Sequence, residues 1–535
     1  MKKILLAMLA IISMVALVAC GENKGSADTK VVKYCLEQNP PQLDPQITTD
    51  ETSGIVLGHI FEGLTIIGKD GKALPGVAET WTNEGNTWTF KLRKDAKWHN
   101  GDPVVAGDFA AAWERALKPT TASEYAFIMY SIKGAQEYNE GKTTDFTTVG
   151  VKAVDDTTLV VELKEPVTYF DSLVAFFTFL PQNQKFYEEH KDAYATSSEE
   201  VMGNGPYKMA SWDFENKIVL EKSDTYWNKD NTKIDTIEMP IIVDYAAALK
   251  AYQNDELDWT VLPNDEITKF KDSPELAPMQ EARVIYMLLN HKFKLFSNEK
   301  VRRAVAMSID RQTLVDKVKS GAGAVAEGLV PNIIPGKAGF FRDEFPQSAY
   351  GLSYNPEEAK KLFAEGLKEL GMTLESIPEI TILTKNDDTS VKESQFYQEQ
   401  LKVNLGLNIK IEPVTFQIRL QRQTAKDYEL MLAGWGADYN DPMTFLDMWM
   451  TKSGQNNTNW GSPAYDKLIT DAKAENDPAK RMDMLGNAEK ILMDEAVIVP
   501  TFYRMKMALK KPHIEGVVIN PFSPVVSFNF ADIKK

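Results

Sequence analysis

The chain is poor in cysteine, in histidine and in clustered positive charge. With 2 cysteines among 535 residues it cannot carry a disulfide scaffold. At roughly 100 to 200 residues per domain, its length gives two to four domains that can bury cores without one. The 5 histidines, His59, His99, His190, His291 and His513, are scattered, with no H-E-x-x-H and no Cys/His spacing suited to zinc, so no metal site is indicated. Positive charge is outweighed, 60 Lys+Arg against 76 Asp+Glu, and no basic block occurs, which argues against a surface that tracks nucleic-acid phosphates. Also missing are a G-x-S-x-G elbow, a G-x-x-x-x-G-K-[ST] loop and an EF-hand run, and Gly321-Ala322-Gly323 followed by Gly328 misses the dinucleotide spacing. Carboxylates are so abundant that no pair among them stands out as acid and base. Neither an enzyme constellation nor a cofactor is expected.

Long apolar runs are confined to the start of the chain. Lys2 and Lys3 precede the run Ile4 to Ala19, broken only by Ser13, and Cys20 follows. This reads as an export signal; the competing reading, an uncleaved anchor, is weakened because the run falls short of the roughly 20 residues that span a bilayer. The junction Leu17-Val18-Ala19-Cys20-Gly21 resembles a bacterial lipobox, in which small residues precede a cysteine that accepts diacylglycerol. Residues 1–19 are therefore expected to be a signal peptide, and residues 20–30 a lipidated cysteine with a flexible polar tether. Cys35, inside the apolar stretch Val31 to Leu36, is expected to be a buried strand residue rather than a reactive thiol.

The remainder alternates strand-like and helix-like stretches, which favours a mixed α/β protein. Trp88–Leu92, Thr158–Leu163, Ile218–Leu220 and Ile380–Leu383 read as strands, and Gly68-Lys69-Asp70-Gly71 as a hairpin turn. Asp108–Leu117 and Pro356–Leu370 read as helices, the second capped by Asn355 with Pro in its first turn. Asn39-Pro40-Pro41-Gln42 reads as a bend leaving the first strand, with no ligand contact assigned. What stands out is Gly434-Trp435-Gly436-Ala437-Asp438-Tyr439-Asn440-Asp441-Pro442. Two glycines permit close backbone approach, Trp435 can wall a pocket, and Asp438 brings charge into an apolar stretch; the competing reading is a turn after a buried strand Leu430–Ala433.

A series of motifs in order carries a resemblance across residues 31–535: Leu43-Asp44-Pro45, Phe61-Glu62-Gly63-Leu64, Pro75 to Trp81, Leu92 to Trp98, Asn204-Gly205-Pro206-Tyr207, Tyr226-Trp227-Asn228, Glu256-Leu257-Asp258, Val301-Arg302-Arg303-Ala304, Ile309-Asp310-Arg311 and Trp435 to Pro442. With these the chain resembles the extracellular solute-binding proteins of family 5, the oligopeptide-binding lipoproteins of peptide ABC importers. The resemblance implies a periplasmic-binding-protein-like α/β fold, two lobes with mixed β-sheets closing on a ligand cleft, plus an inserted accessory α/β domain. It implies lobe I at 31–61, 186–283 and 501–535, the inserted domain at 62–185 and lobe II at 284–500, with a hinge near Arg283 to Ile285 and near Pro500.

It also implies a monomer that hydrolyses nothing, binds short peptides with a free α-amino group and delivers them to the permease subunits of an ABC importer from outside the membrane. Thr49 and Glu51 on the first lobe, and Gly434 and Gly436 on the second, match backbone partners of the peptide; Asp438 matches the anchor for its α-ammonium. Trp435 matches a residue lining side-chain pockets, and Tyr125 an aromatic from the inserted domain. The chain departs from the family at Leu432, where the best-known members carry the arginine that holds the peptide carboxylate. Arg419, Arg422, Lys317 and Lys319 are candidate substitutes, each equally readable as a solvated helix face. Without a clamp the site is expected to admit longer peptides. The alternatives are another ligand on the same fold (nickel, haem, glutathione or a sugar) and, in a different class, a surface hydrolase or adhesin.

Overall fold

The structure is a computed structural model that describes residues 29–68, 72–167, 169–475, 477–522 and 526–534. The signal peptide, Cys20, the tether up to residue 28 and the hairpin residues 69–71 lie outside the described residues.

Three larger sheets organise the chain. The first has four strands in the order Val31–Lys33, Thr236–Pro240, Lys217–Lys222, Tyr207–Asp213. The second, also four-stranded, is antiparallel and runs Ala78–Glu84, Thr87–Leu92, Thr158–Glu162, Val151–Asp155. The third has seven strands: Trp259–Val261, Ile498–Lys510, Leu276–Leu289, Leu430–Gly436, Ile380–Lys385 and Ile409–Val414 in order, with Gly323–Val325 added on Ile498–Lys510. In that sheet, Ile380–Lys385 lies parallel to both Ile409–Val414 and Leu430–Gly436. Each parallel link needs a crossover, supplied by helices Asp388–Leu405 and Phe416–Ala425.

Leu276–Leu289 and Ile498–Lys510 have 14 and 13 residues, more than twice the common strand length of about 5 to 6. They pair antiparallel along most of their length, with register shifts between Gln280 and Val284 and between Ile285 and Tyr286. Before the first shift the burial of Leu276–Leu289 is mixed; after it, Tyr286 to Leu289 are all buried. The pair thus begins at the rim of one body and ends in the core of another.

Local signals act as the physics requires. Asn355 caps helix Pro356–Leu370 by accepting from the Glu358 N–H at 3.1 Å, and Gly371 closes it at φ 63°. The first expected helix starts earlier than the sequence suggested, at Ala106, because Asp108 accepts from the Val105 N–H and so serves as its third residue. Cys35 sits in a small apolar cluster with Leu249, Tyr252 and Leu509, and burial pushes its thiol up to about 12.

Several of the family-like motifs meet around Glu62. Glu62 accepts from Tyr226 Oη at 2.5 Å and Trp227 Nε1 at 2.7 Å, while the Asn204 amide bonds both its N–H and its carbonyl. Arg93 lies 3.3 Å over the Trp227 ring and donates to the Gly76 carbonyl. Arg311 donates to the carbonyl of Pro500 at 2.8 Å, holding one of the two long strands. These charged motif residues make structural contacts.

Candidate functional site

Where the long strands change register, the body encloses a cavity of about 790 Å³, within the roughly 300 to 1,000 Å³ of ordinary ligand sites. Thr49, Glu51, Tyr125, Gly434, Trp435, Gly436 and Asp438 all lie on its wall. Pro41 and Gln42 lie there too, so the segment read as a plain bend also faces the cavity.

The strand Leu430–Gly436 supplies the centre of the wall. It extends through Gly434-Trp435-Gly436 and pairs these with Ile285, Val284 and Arg283, so the turn reading is corrected: these glycines are strand residues. They serve space rather than bending. A Cβ on Gly434 would meet Ile285 Cδ1 at 2.6 Å, and one on Gly436 the Arg283 guanidinium at 2.9 Å. On the other edge, Ile380–Lys385 pairs only with Leu430 and Met431. From Leu432 to Gly436 that edge has no strand partner among the described residues, and all five residues line the cavity.

Asp438 follows this edge. Tyr125 Oη donates to it at 3.3 Å and Thr444 Oγ1 at 3.4 Å, and no cation pairs with it among the described residues. Burial and the like charge of Asp447 push its carboxyl well above the ordinary range. Tyr125 also stacks on Trp435, centroids 6.1 Å apart, in a cluster with Phe176 and Phe177. Trp435 Nε1 is buried without a hydrogen-bond partner among the described residues. Beside this cluster, Tyr169 stacks on Tyr439 at 4.9 Å, and Arg481 grips Asp441 with two bonds of 2.7 and 2.8 Å.

Below lies a charge network that residue patterns did not reveal. Glu51 pairs with Arg283 at 2.5 Å and Arg504 at 2.9 Å; Glu281 pairs with Arg504; Lys506 pairs with Glu37 at 2.5 Å. Burial alone would raise the Glu51 carboxyl, but Arg283, Lys506 and Arg504 outweigh it and hold it well below the usual range. The Glu51 side chain is thereby committed. Its backbone N–H opens helix Glu51–Ile60, where a helix leaves such groups without internal partners.

The four candidate cations separate. Arg422 pairs with Glu412 at 2.7 Å away from the cavity, and Lys317 is exposed. Lys319 lines the cavity but is buried against Glu393 at 2.7 Å. Arg419 lines the cavity and is 8% exposed, which overturns the solvated-face reading for it and for Lys319.

Separate mixed and antiparallel sheets, with a ligand-sized cavity beside the two long strands of the largest one, fit the class of two-lobed binding proteins. The chain matches the bacterial extracellular solute-binding proteins, family 5 Middle, over residues 72–457, and it belongs to that family. It is 35% identical to the oligopeptide-binding protein OppA of Bacillus subtilis, over 96% of each chain. Among solved structures it is similar to the substrate-binding domain of an oligopeptide ABC transporter from Bacillus anthracis, with a TM-score of 0.91 and 34% identity over 95% of this chain and 99% of that one. Listeria monocytogenes OppA bound to peptide gives 0.88 and 34%, over 95% and 100%. One structure of the Escherichia coli murein tripeptide-binding protein MppA gives 0.88 at 28% identity, over 95% and 99%, whereas the unliganded open form of MppA gives 0.65 at 27%, over 95% and 98%.

Proposed function

We propose that this protein captures short peptides in the cavity between its lobes and delivers them to the membrane subunits of an ABC importer. The observation that carries this reading is the unpartnered strand edge Leu432–Gly436 leading to a carboxylate without a cation, Asp438. An extended peptide can add to such an edge, its main chain giving affinity whatever its side chains, and its α-ammonium supplies the charge that Asp438 lacks. Gly434 and Gly436 offer backbone groups on one side; Thr49 and the N–H of Glu51 face them from the other lobe. Trp435 and Tyr125 wall the space for the peptide's side chains. Each neutral backbone bond nets only about 0.5 to 1.5 kcal/mol, so several act together.

The protein works outside the cytoplasmic membrane, as a monomer held there by lipid on Cys20, and returns peptide intact. Lobe I comprises 31–61, 186–283 and 501–535, lobe II 284–500, and the inserted domain 62–185, which brings Tyr125 to the cavity. Opening occurs at the two chain crossings near Arg283 to Ile285 and near Pro500, next to the register shifts of the long strands.

The test uses purified protein, unfolded and refolded to strip carried-over ligand, titrated calorimetrically with tri- to pentapeptides and their N-acetylated forms. Free-amine peptides should bind, and acetylation or Asp438→Ala should each cost on the order of 100-fold or more, as loss of a buried ion pair does. Binding unaffected by acetylation would remove Asp438 as the anchor. No heat with any peptide would return the search to other ligands.

A further inference from the structure

Helix Phe416–Ala425 has a single buried residue, and that residue is an arginine. Thr415 caps the helix and its remaining side chains are half-buried or exposed, so nothing apolar draws Arg419 inward. Its Nη1 donates to Gln423 Oε1 at 2.8 Å and, weakly, to the carbonyl of Leu432 at 3.4 Å, while its Nε is buried with no partner among the described residues. The guanidinium lies 5.4 Å from the centre of the Phe416 ring. The other charged or titratable groups that bear on it are the Tyr286 hydroxyl and the cation Arg283, which repels it.

Every other cation on the cavity wall has a carboxylate: Lys319 has Glu393, Lys385 has Asp387, Arg283 and Arg504 have Glu51, and Lys506 has Glu37. Among the described residues Arg419 has none. Its Nε is buried on the cavity wall with no partner among the described residues, so an anion entering the cavity would satisfy both the open donor and the charge. Burial pulls the guanidinium down to about 10, still cationic at neutral pH. A planar guanidinium with free donors matches a carboxylate in two-point geometry.

The position is as informative as the charge. Arg419 reaches the strand at Leu432, where the open edge begins, and Asp438 lies beyond its other end. Six residues of strand at about 3.3 Å each set an upper limit of roughly 20 Å between the two levels, the span of an extended peptide of about three to five residues once the ion-pair contacts are allowed for.

We propose that Arg419 anchors the ligand's terminal carboxylate, so that the cavity selects short peptides with both ends free. This rests on the peptide reading and reverses the expectation, drawn from Leu432, of a site open at its carboxyl end. The cation has moved from the strand to the helix that covers it.

The test compares tri-, tetra- and pentapeptide acids with their C-terminal amides by calorimetry, on the unaltered protein, Arg419→Gln and Arg419→Lys. Amidation should weaken binding to the unaltered protein by on the order of 10- to 100-fold. Arg419→Gln should bind acid and amide alike, near the level of the amide on the unaltered protein, and Arg419→Lys should keep part of the preference. Equal binding of acid and amide by the unaltered protein needs no variant to interpret: it overturns the carboxylate anchor while leaving the peptide reading in place. A preference retained in Arg419→Gln overturns it as well. An unaltered protein that binds no peptide in either form overturns the peptide reading and this inference together.

Discussion

Asp438 holds a carboxylate among Tyr125, Thr444 and the like charge of Asp447, an arrangement that favours its protonated form until a cation arrives. Its raised pKa has a direct consequence for binding. An ammonium selects the ionised carboxylate, so a peptide expels a proton, and affinity falls as pH drops through that raised value, by up to about tenfold per unit. Calorimetry over a descending pH series in buffers of different ionisation enthalpy should show proton release on binding that grows as pH falls, absent in Asp438→Asn; heats independent of buffer throughout would contradict the linkage. That Asp438 would lie at the cavity was legible in the sequence through its motif. Arg419 was one of four equivalent cations there, because a helix of mixed polarity does not reveal which residue faces a cavity built by a distant strand. The cluster of Glu51, Glu281, Arg283 and Arg504 was invisible for the same reason, its members coming from three separate stretches of chain.

At the scale of elements, the pair Gly203 and Gly205 shows how closely segments must approach. A Cβ on Gly203 would fall 1.9 Å from the Ile60 carbonyl oxygen, and one on Gly205 2.8 Å from both the Ile60 carbonyl carbon and the Phe61 nitrogen. Those are backbone atoms of the helix end that carries Glu62 into its bonds with Tyr226 and Trp227. Gly205→Ala should therefore destabilise the fold by about 1 to 3 kcal/mol, the usual range for overpacking, read as a lowered denaturant midpoint; an unchanged midpoint would mean the helix end can shift freely. Strands and helices with strong periodicity, such as Thr87–Leu92 and Pro356–Leu370, were legible because their local signals agree with their packing. Gly434–Gly436 was not, since two glycines signal a turn wherever nothing shows that neighbouring side chains need the space.

Across the whole molecule the register shift of the two long strands lies beside the Glu51, Arg283 and Arg504 cluster. Domain closure around a ligand is the ordinary motion of a two-lobed binding fold. Peptide should therefore reduce the radius of gyration measured by X-ray scattering, and at a hundred times its Kd should add about 2.7 kcal/mol of stability, seen as a rise in Tm. A rise in Tm with no change in scattering would place ligand in a molecule already closed.

Composition argued against a disulfide scaffold, periodicity identified many of the elements, and ordered motifs named the family. Those are local properties, carried by a few residues in sequence. Which edge of Leu430–Gly436 stays unpaired, which of the candidate cations is left without a carboxylate, and where the charge network forms were decided only by tertiary structure. Each depends on segments from separate elements meeting at one cavity, and burial, not residue type, determines what a charge must find there.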